Sequence, residues 1–139
     1  MESIKLSYKV DGDNFITAGE ASSAVKATLK QLGFPPDVIR KVAIAMYEAE
    51  INMVIHAQGG TADVEILADR IEIVLADRGP GIPNIDLAMT EGYSTAPEDV
   101  RSLGFGAGMG LPNIKKYSDK LEIETEIGVG TTLKITINC

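Results

Sequence analysis

The segment from Pro36 to about Ala57 constrains this chain more than any other, because it reads as one helix that is apolar on most of its sides. Pro35-Pro36 opens it and Gly59-Gly60 closes it, as expected of proline at a helix start and glycine past a helix end. A helix with so little polar surface has to be the buried centre of a domain. Glu48, Asn52 and His56 nevertheless form a stripe along it, each about 40° from the last around the axis. Ile44, Ile51 and Ile55 border the stripe on one side, Ala45 and Ala49 on the other. Polar groups in such company are costly unless something satisfies them. Two readings meet that condition. Either a bound metal or ligand completes the stripe, or Asn52 is a satisfied core amide beside a partly exposed Glu48.

The composition supports a domain built around that helix. With 139 residues, 45% apolar and 24% charged, the chain is globular and long enough for one domain, 1–139, with a real core. A net charge of −7 argues against nucleic acid or an anionic membrane surface as the main partner. It leaves ATP open, because a nucleotide site needs local donors and a cation rather than a basic surface. The single cysteine, Cys139, is the last residue and closes no internal disulfide, which suits a reducing compartment. Met1-Glu2-Ser3-Ile4-Lys5 begins a strand-like alternation rather than a basic-then-apolar leader, and no apolar run is long enough to span a bilayer. The expectation is a soluble, cytoplasmic protein.

Around the helix the pattern alternates between strands and turns. Ile4, Leu6, Tyr8 and Val10 alternate with polar residues and predict a first strand ending at Asp11-Gly12-Asp13. Phe15 to Leu32 predicts a helix, stopped by Gly33. Two strands follow, Ala62 to Leu67 and Ile71 to Ala76, joined by a tight turn at Asp69-Arg70. The stretch Asp77 to Gly110 is rich in Gly, Pro, Ser and Thr, with one short helix expected around Ile85-Met89; a loop this long in a compact domain is usually functional. A short helix from Gly110 to about Tyr117 tolerates Pro112 in its first turn. The chain ends in a hairpin, Leu121 to Ile127 and Thr131 to Ile137, around Gly128-Val129-Gly130.

Three of these segments carry chemistry-bearing residues. Asp77-Arg78-Gly79-Pro80-Gly81-Ile82 leaves a strand directly. An aspartate there can accept a hydrogen bond from an exocyclic amine, and glycines just after it let backbone pass close to a flat ring; an ordinary Asp-x-Gly turn would have the same sequence. Gly104, Gly106, Gly108 and Gly110 stand at alternate positions before a helix, which suits either a phosphate cradle of backbone N–H groups or a flexible hinge. Neither the P-loop spacing nor Gly-x-Gly-x-x-Gly after a strand is present, so ATP, if bound, is bound in another way. Thr131-Thr132 fits plain β-propensity. His56 fits a structural hydrogen-bonding role near the helix end, since the chain has no second histidine to share a metal. Arg78, Arg101, Lys115 and Lys116 are candidate contacts for a terminal phosphate.

Taken in order, these pieces resemble the ATP-binding fold shared by gyrase, Hsp90, histidine kinases and MutL, known as the GHKL or Bergerat fold. Glu48-x-x-x-Asn52 is similar to its N-box, Asp77-x-Gly79-x-Gly81 to its first glycine box, Gly106-x-Gly108-x-Gly110 to its second, and Gly130-Thr131 to its closing Gly-Thr motif. The fold class implied is an α+β two-layer sandwich: a mixed, mostly antiparallel sheet with helices on one face. The small size and the wording around Tyr47–Ala57, Asp77–Pro83 and Glu91–Thr95 resemble the anti-sigma/serine-kinase branch, and within it stressosome switch kinases of the RsbT type.

The resemblance implies roles, residue by residue. Asp77 would hold the adenine amino group, with Thr131 helping through a water, and Asn52 would offer its carbonyl oxygen to Mg²⁺. Gly104 to Gly110 would close over the phosphates. Glu48 would take the proton from an incoming hydroxyl; Glu50, about 160° from Asn52 around the helix, is rejected for that part. The activity implied is ATP- and Mg²⁺-dependent phosphorylation of serine or threonine on STAS-domain partners, followed by activation of a downstream output protein such as a phosphatase. This branch often forms homodimers. An anti-sigma factor that sequesters a sigma subunit on the same scaffold is the runner-up. A sensor histidine kinase fragment lacks its paired phosphoacceptor helices here, and a nucleotide-binding module without catalysis would not need both Glu48 and Asn52. Between Gly81 and Gly104 the only cation is Arg101, which implies slow or partner-dependent turnover.

Overall fold

The computed structural model describes residues 3–11, 19–56, 59–79 and 110–139. The long helix of the sequence runs from Pro36 to His56 and is called α2; before it come strand β1 (Ile4–Asp11) and helix α1 (Glu20–Gln31). After it come β2 (Gly59–Ile66), β3 (Arg70–Asp77), helix α3 (Gly110–Tyr117), β4 (Lys120–Glu126) and β5 (Gly130–Asn138). The strands form one sheet in the order β1-β2-β3-β5-β4, and every one of these four pairings is antiparallel.

Strand alternation explains why the helices cover one face only. The register aligns Leu6, Val64, Ile73, Ile135 and Leu121 in one row across all five strands. The row offset by one residue reads Lys5, Glu65, Glu72, Thr136 and Lys120, so successive rows belong to opposite faces. Ile71, Ile73, Leu75, Leu133, Ile135 and Ile137 are buried on the first face. Val42, Ala45, Met46, Ala49 and Met53 of α2 are buried in the same core, at the three- and four-residue spacing that puts them on one helix face. Each large aliphatic side chain buried there stabilises the fold by about 1.5–3 kcal/mol relative to exposure. The opposite face of the sheet is polar, with ion pairs such as Lys5–Glu65 and Lys120–Glu122. The result is the expected α+β two-layer sandwich, and α2 is its centre.

Two boundaries differ from the sequence reading. Helix α1 begins at Glu20, because Gly19 takes a left-handed φ of 94°, outside the helix; residues 15–18 lie outside the described residues. Gly59 and Gly60 do not close α2 but start β2, paired with Asp11 and Val10 of β1. Gly60 also lies opposite Asp77 of β3. A Cβ at Gly60 would sit 2.1 Å from the Ala76 carbonyl oxygen, so only glycine fits this strand position. The short helix expected at Ile85-Met89 falls outside the described residues. Among the described residues no helix is long and apolar enough to cross a membrane.

Candidate functional site

Helix α2 carries two carboxylates only two residues apart, and they serve different neighbours. Glu50 is 2% exposed and points to the start of α1. Its Oε2 accepts from the backbone N–H groups of Gly19 at 2.9 Å and Ala21 at 3.2 Å, and its Oε1 from Ser22 at 3.0 Å. The first turn of any helix has unpaired N–H groups, and Gly19 has no side chain to cap them. Glu50 supplies that cap from another helix, with the added attraction of an anion for a helix N-terminus. Tyr47 leans over the same junction: a Cβ at Gly19 would lie 2.9 Å from its ring. Partial burial, then the carboxylates of Glu48 and Glu50, push the Tyr47 phenol above its usual pKa.

Glu48 lies about 160° from Glu50 around α2 and is half-buried toward α3. Its Oε1 accepts from the side-chain amide of Asn113 at 3.5 Å. Burial pushes the Glu48 carboxyl above the usual glutamate range, and the Asn113 hydrogen bond offsets only part of that. Asn52, one turn further along α2, is also half-buried, between the buried Ile51 and Met53. The side chain of His56 lies outside the described residues.

The end of α2 meets the end of β3. A Cβ at Gly60 would lie 2.6 Å from the Met53 methyl carbon and 2.9 Å from Asp77 Cα, so the turn after Asn52 closes over the strand carrying Asp77. Asp77 Oδ1 accepts two backbone bonds, from Gly79 at 2.9 Å and from Thr131 at 3.1 Å. Its Oδ2 accepts none among the described residues. Gly130, with φ 151°, passes so close that a Cβ there would lie 2.1 Å from the Asp77 carbonyl oxygen. Thr131 is buried and shares a hydrogen bond with the Thr125 hydroxyl at 2.9 Å. Among the described residues Asp77 is thus an oriented carboxylate with no donor on Oδ2, flanked by Gly60 of β2 and Gly130 of β5.

These contacts join Asp77, Gly79 and Thr131 at one end of the sheet and set Met53 of α2 against it; Glu48 and Asn52 lie on the same helix, Glu48 against α3. Gly110 is the first residue of α3; Gly81, Gly104, Gly106, Gly108 and Arg101 lie outside the described residues. Arg78 is exposed, and Lys115 and Lys116 lie in the last turn of α3, with Lys116 Nζ 5.4 Å from the Tyr117 ring centre. The sequence does not mark Asn113, Gly60 or Thr125 as neighbours of the site. Gly60 stands beside Gly59 and reads as a helix stop, and nothing local distinguishes Asn113 or Thr125.

These groups fit a nucleotide: an aspartate oxygen that can accept from an amino group, and a half-buried carboxylate one turn from an amide. Among the described residues no three His, Cys, Asp or Glu side chains gather as an all-protein metal site would require. A hard cation bridging phosphates needs only one or two protein oxygens, and Asn52 can provide one.

Comparison with known proteins agrees. Residues 16–137 match the family described as the histidine kinase-like ATPase domain. The serine/threonine-protein kinase RsbT of Bacillus subtilis is 32% identical over 109 residues, covering 76% of each chain. The anti-sigma F factor of Clostridium beijerinckii is 36% identical over 121 residues, covering 83% of this chain and 81% of that one. A solved structure of RsbU and RsbW domains from Mycobacterium tuberculosis superposes with a TM-score of 0.64 at 17% identity, over 96% of this chain. This chain spans 32% of that longer one, and the likeness concerns the fold alone. The chain belongs to the histidine kinase-like ATPase domain family, the GHKL superfamily, and its relatives there include partner-switching kinases and anti-sigma factors.

Proposed function

We propose that this chain is an ATP- and Mg²⁺-dependent serine/threonine protein kinase that phosphorylates STAS-domain proteins in a partner-switching module. The observation that carries the reading is Glu48: a half-buried carboxylate, held through one oxygen, one turn from Asn52 and on the helix that closes over Asp77. In this reading Asp77 Oδ2 receives the adenine amino group while Oδ1 stays tied to Gly79 and Thr131. Glu48 takes the proton of the incoming hydroxyl. That oxygen bonds to the γ-phosphorus as the bridging P–O bond breaks, and ADP leaves with the electron pair. Burial suits Glu48 to this part, because a carboxylate held above its usual pKa is a stronger base. Mg²⁺, when bound, neutralises charge on the phosphates, and Asn52 is the residue that would hold it. Gly104, Gly106, Gly108 and Gly110 would supply backbone donors to the phosphates.

The test is the intact mass of a STAS-domain protein from the same organism after incubation with this chain and Mg-ATP. The expected result is one added phosphate on serine or threonine, absent with Glu48→Ala while ATP binding persists. No added mass would end the kinase reading.

A second reading has one observation in its favour: the anti-sigma F relative is 36% identical over 121 residues, against 32% over 109 for the kinase. Here the chain sequesters a sigma subunit on the same ATP-binding scaffold. Co-elution with a sigma subunit of the same organism in gel filtration, dependent on ATP, would support it; separate elution would not.

A further inference from the structure

The one described side-chain bond that reaches Glu48 comes from α3, 65 residues away in the chain. Leu111 and Ile114, on either side of Asn113, are 8% and 0% exposed and seat α3 in the core beside α2. Asn113 itself is half-buried, so its amide is delivered to Glu48 by a helix with little freedom to shift. Its Nδ2 donates to Glu48 Oε1. Among the described residues Oε2 receives no donor, which leaves one oxygen to accept a proton. A neutral amide is also a telling choice of partner. Lysine or arginine at this position would hold the carboxylate by ion pairing and weaken it as a base, whereas an amide orients it with a smaller loss of basicity.

We propose that Asn113 is a positioning residue of the phosphotransfer site, its side-chain amide fixing the orientation from which Glu48 receives the proton. The proposal rests on the kinase reading. A carboxylate free to rotate about its terminal torsion spends only part of its time aimed at the acceptor hydroxyl, and proton transfer is sensitive to that alignment.

The experiment is single-turnover hydrolysis of Mg-ATP by the intact chain, with water as the acceptor and inorganic phosphate as the product. Binding of MANT-ATP is measured in parallel. The chains compared are the wild type, Asn113→Ala, Asn113→Asp, Glu48→Gln and the double variant Glu48→Gln/Asn113→Ala. Asn113→Ala is expected to slow hydrolysis about tenfold while the MANT-ATP Kd stays within about twofold. Asn113→Asp, nearly the same shape but without the donor at neutral pH, is expected to slow it at least as much. In the Glu48→Gln background, Asn113→Ala is expected to change the rate by less than about twofold, because it acts through Glu48.

Equal slowing by Asn113→Ala in both backgrounds would overturn the proposal, since a merely structural contact lowers the rate whether or not the base is present. So would wild-type hydrolysis by Asn113→Ala, or a loss of MANT-ATP binding that accounts for the slower rate. If Glu48→Gln itself hydrolyses like the wild type, the base assignment falls and this proposal with it. If Glu48→Gln is inactive and Asn113→Ala is not, only this proposal falls.

Discussion

Glu48 and Glu50 stand two residues apart on one helix, yet the junction of α1 with α2 and the site end of the sandwich use them in opposite ways. At the junction, Glu50 is 2% exposed with both oxygens occupied by three backbone N–H groups. At the site end, among the described residues, Glu48 is half-buried with one oxygen held by a neutral amide, and Asp77 has both its bonds on Oδ1. Burial alone would have ranked Glu50 as the unusual carboxylate. What separates the two is hydrogen-bond saturation. A carboxylate whose acceptor sites are filled by backbone holds the fold together, and one with an oxygen to spare is available for chemistry.

The strongest way to break that contrast is to remove the saturated member. Glu50→Ala leaves the first-turn N–H groups of α1 buried without a partner and should destabilise the fold by about 3 kcal/mol, lowering Tm by roughly 10 °C. Glu48→Ala in the same thermal scan should stay within about 0.5 kcal/mol of the wild type. Equal losses would mean that both residues are structural. Asp77 sharpens the contrast from the other side. Asp77→Asn can keep its carbonyl oxygen on Gly79 and Thr131 while the spare acceptor becomes a donor. It should weaken ATP binding about 10- to 100-fold by calorimetric titration, with Tm nearly unchanged. A matching loss of Tm would show that the second oxygen is also structural.

The smallest expected effect concerns pH. Burial raises the Glu48 pKa in the folded chain, so folding favours its protonated form. Compared with Glu48→Gln, the wild type should therefore lose stability as pH rises from the ordinary glutamate pKa through the raised folded value. Below the ordinary value the two should keep a constant difference. Urea midpoints of both chains across that window measure the effect; parallel curves throughout would place Glu48 in bulk-like solvent.

The pattern of residues was enough to read α2, all five strands and α3, because each depends on a local periodicity. The order of Glu48, Asn52, Asp77 and the glycines was likewise enough to name the superfamily, since those residue types recur at characteristic spacings. The start of α1 was not legible. Phe15 to Ala18 look as helical in sequence as Glu20 to Gln31, and the boundary depends on Gly19 and on Glu50, 31 residues away. Gly60 was misread for a similar reason, as its lack of a side chain answers to Ala76 and Asp77 across the sheet rather than to the helix before it.

Periodicity is a property of neighbouring residues, so the chain alone determined its elements, the buried face of α2 and which carboxylates were candidates for a site. Saturation of a polar group is a property of whatever lies beside it in space. Only the tertiary structure could therefore decide that α1 fills the oxygens of Glu50, that Thr131 and Gly79 fill one oxygen of Asp77, and that Asn113 on α3 takes hold of Glu48.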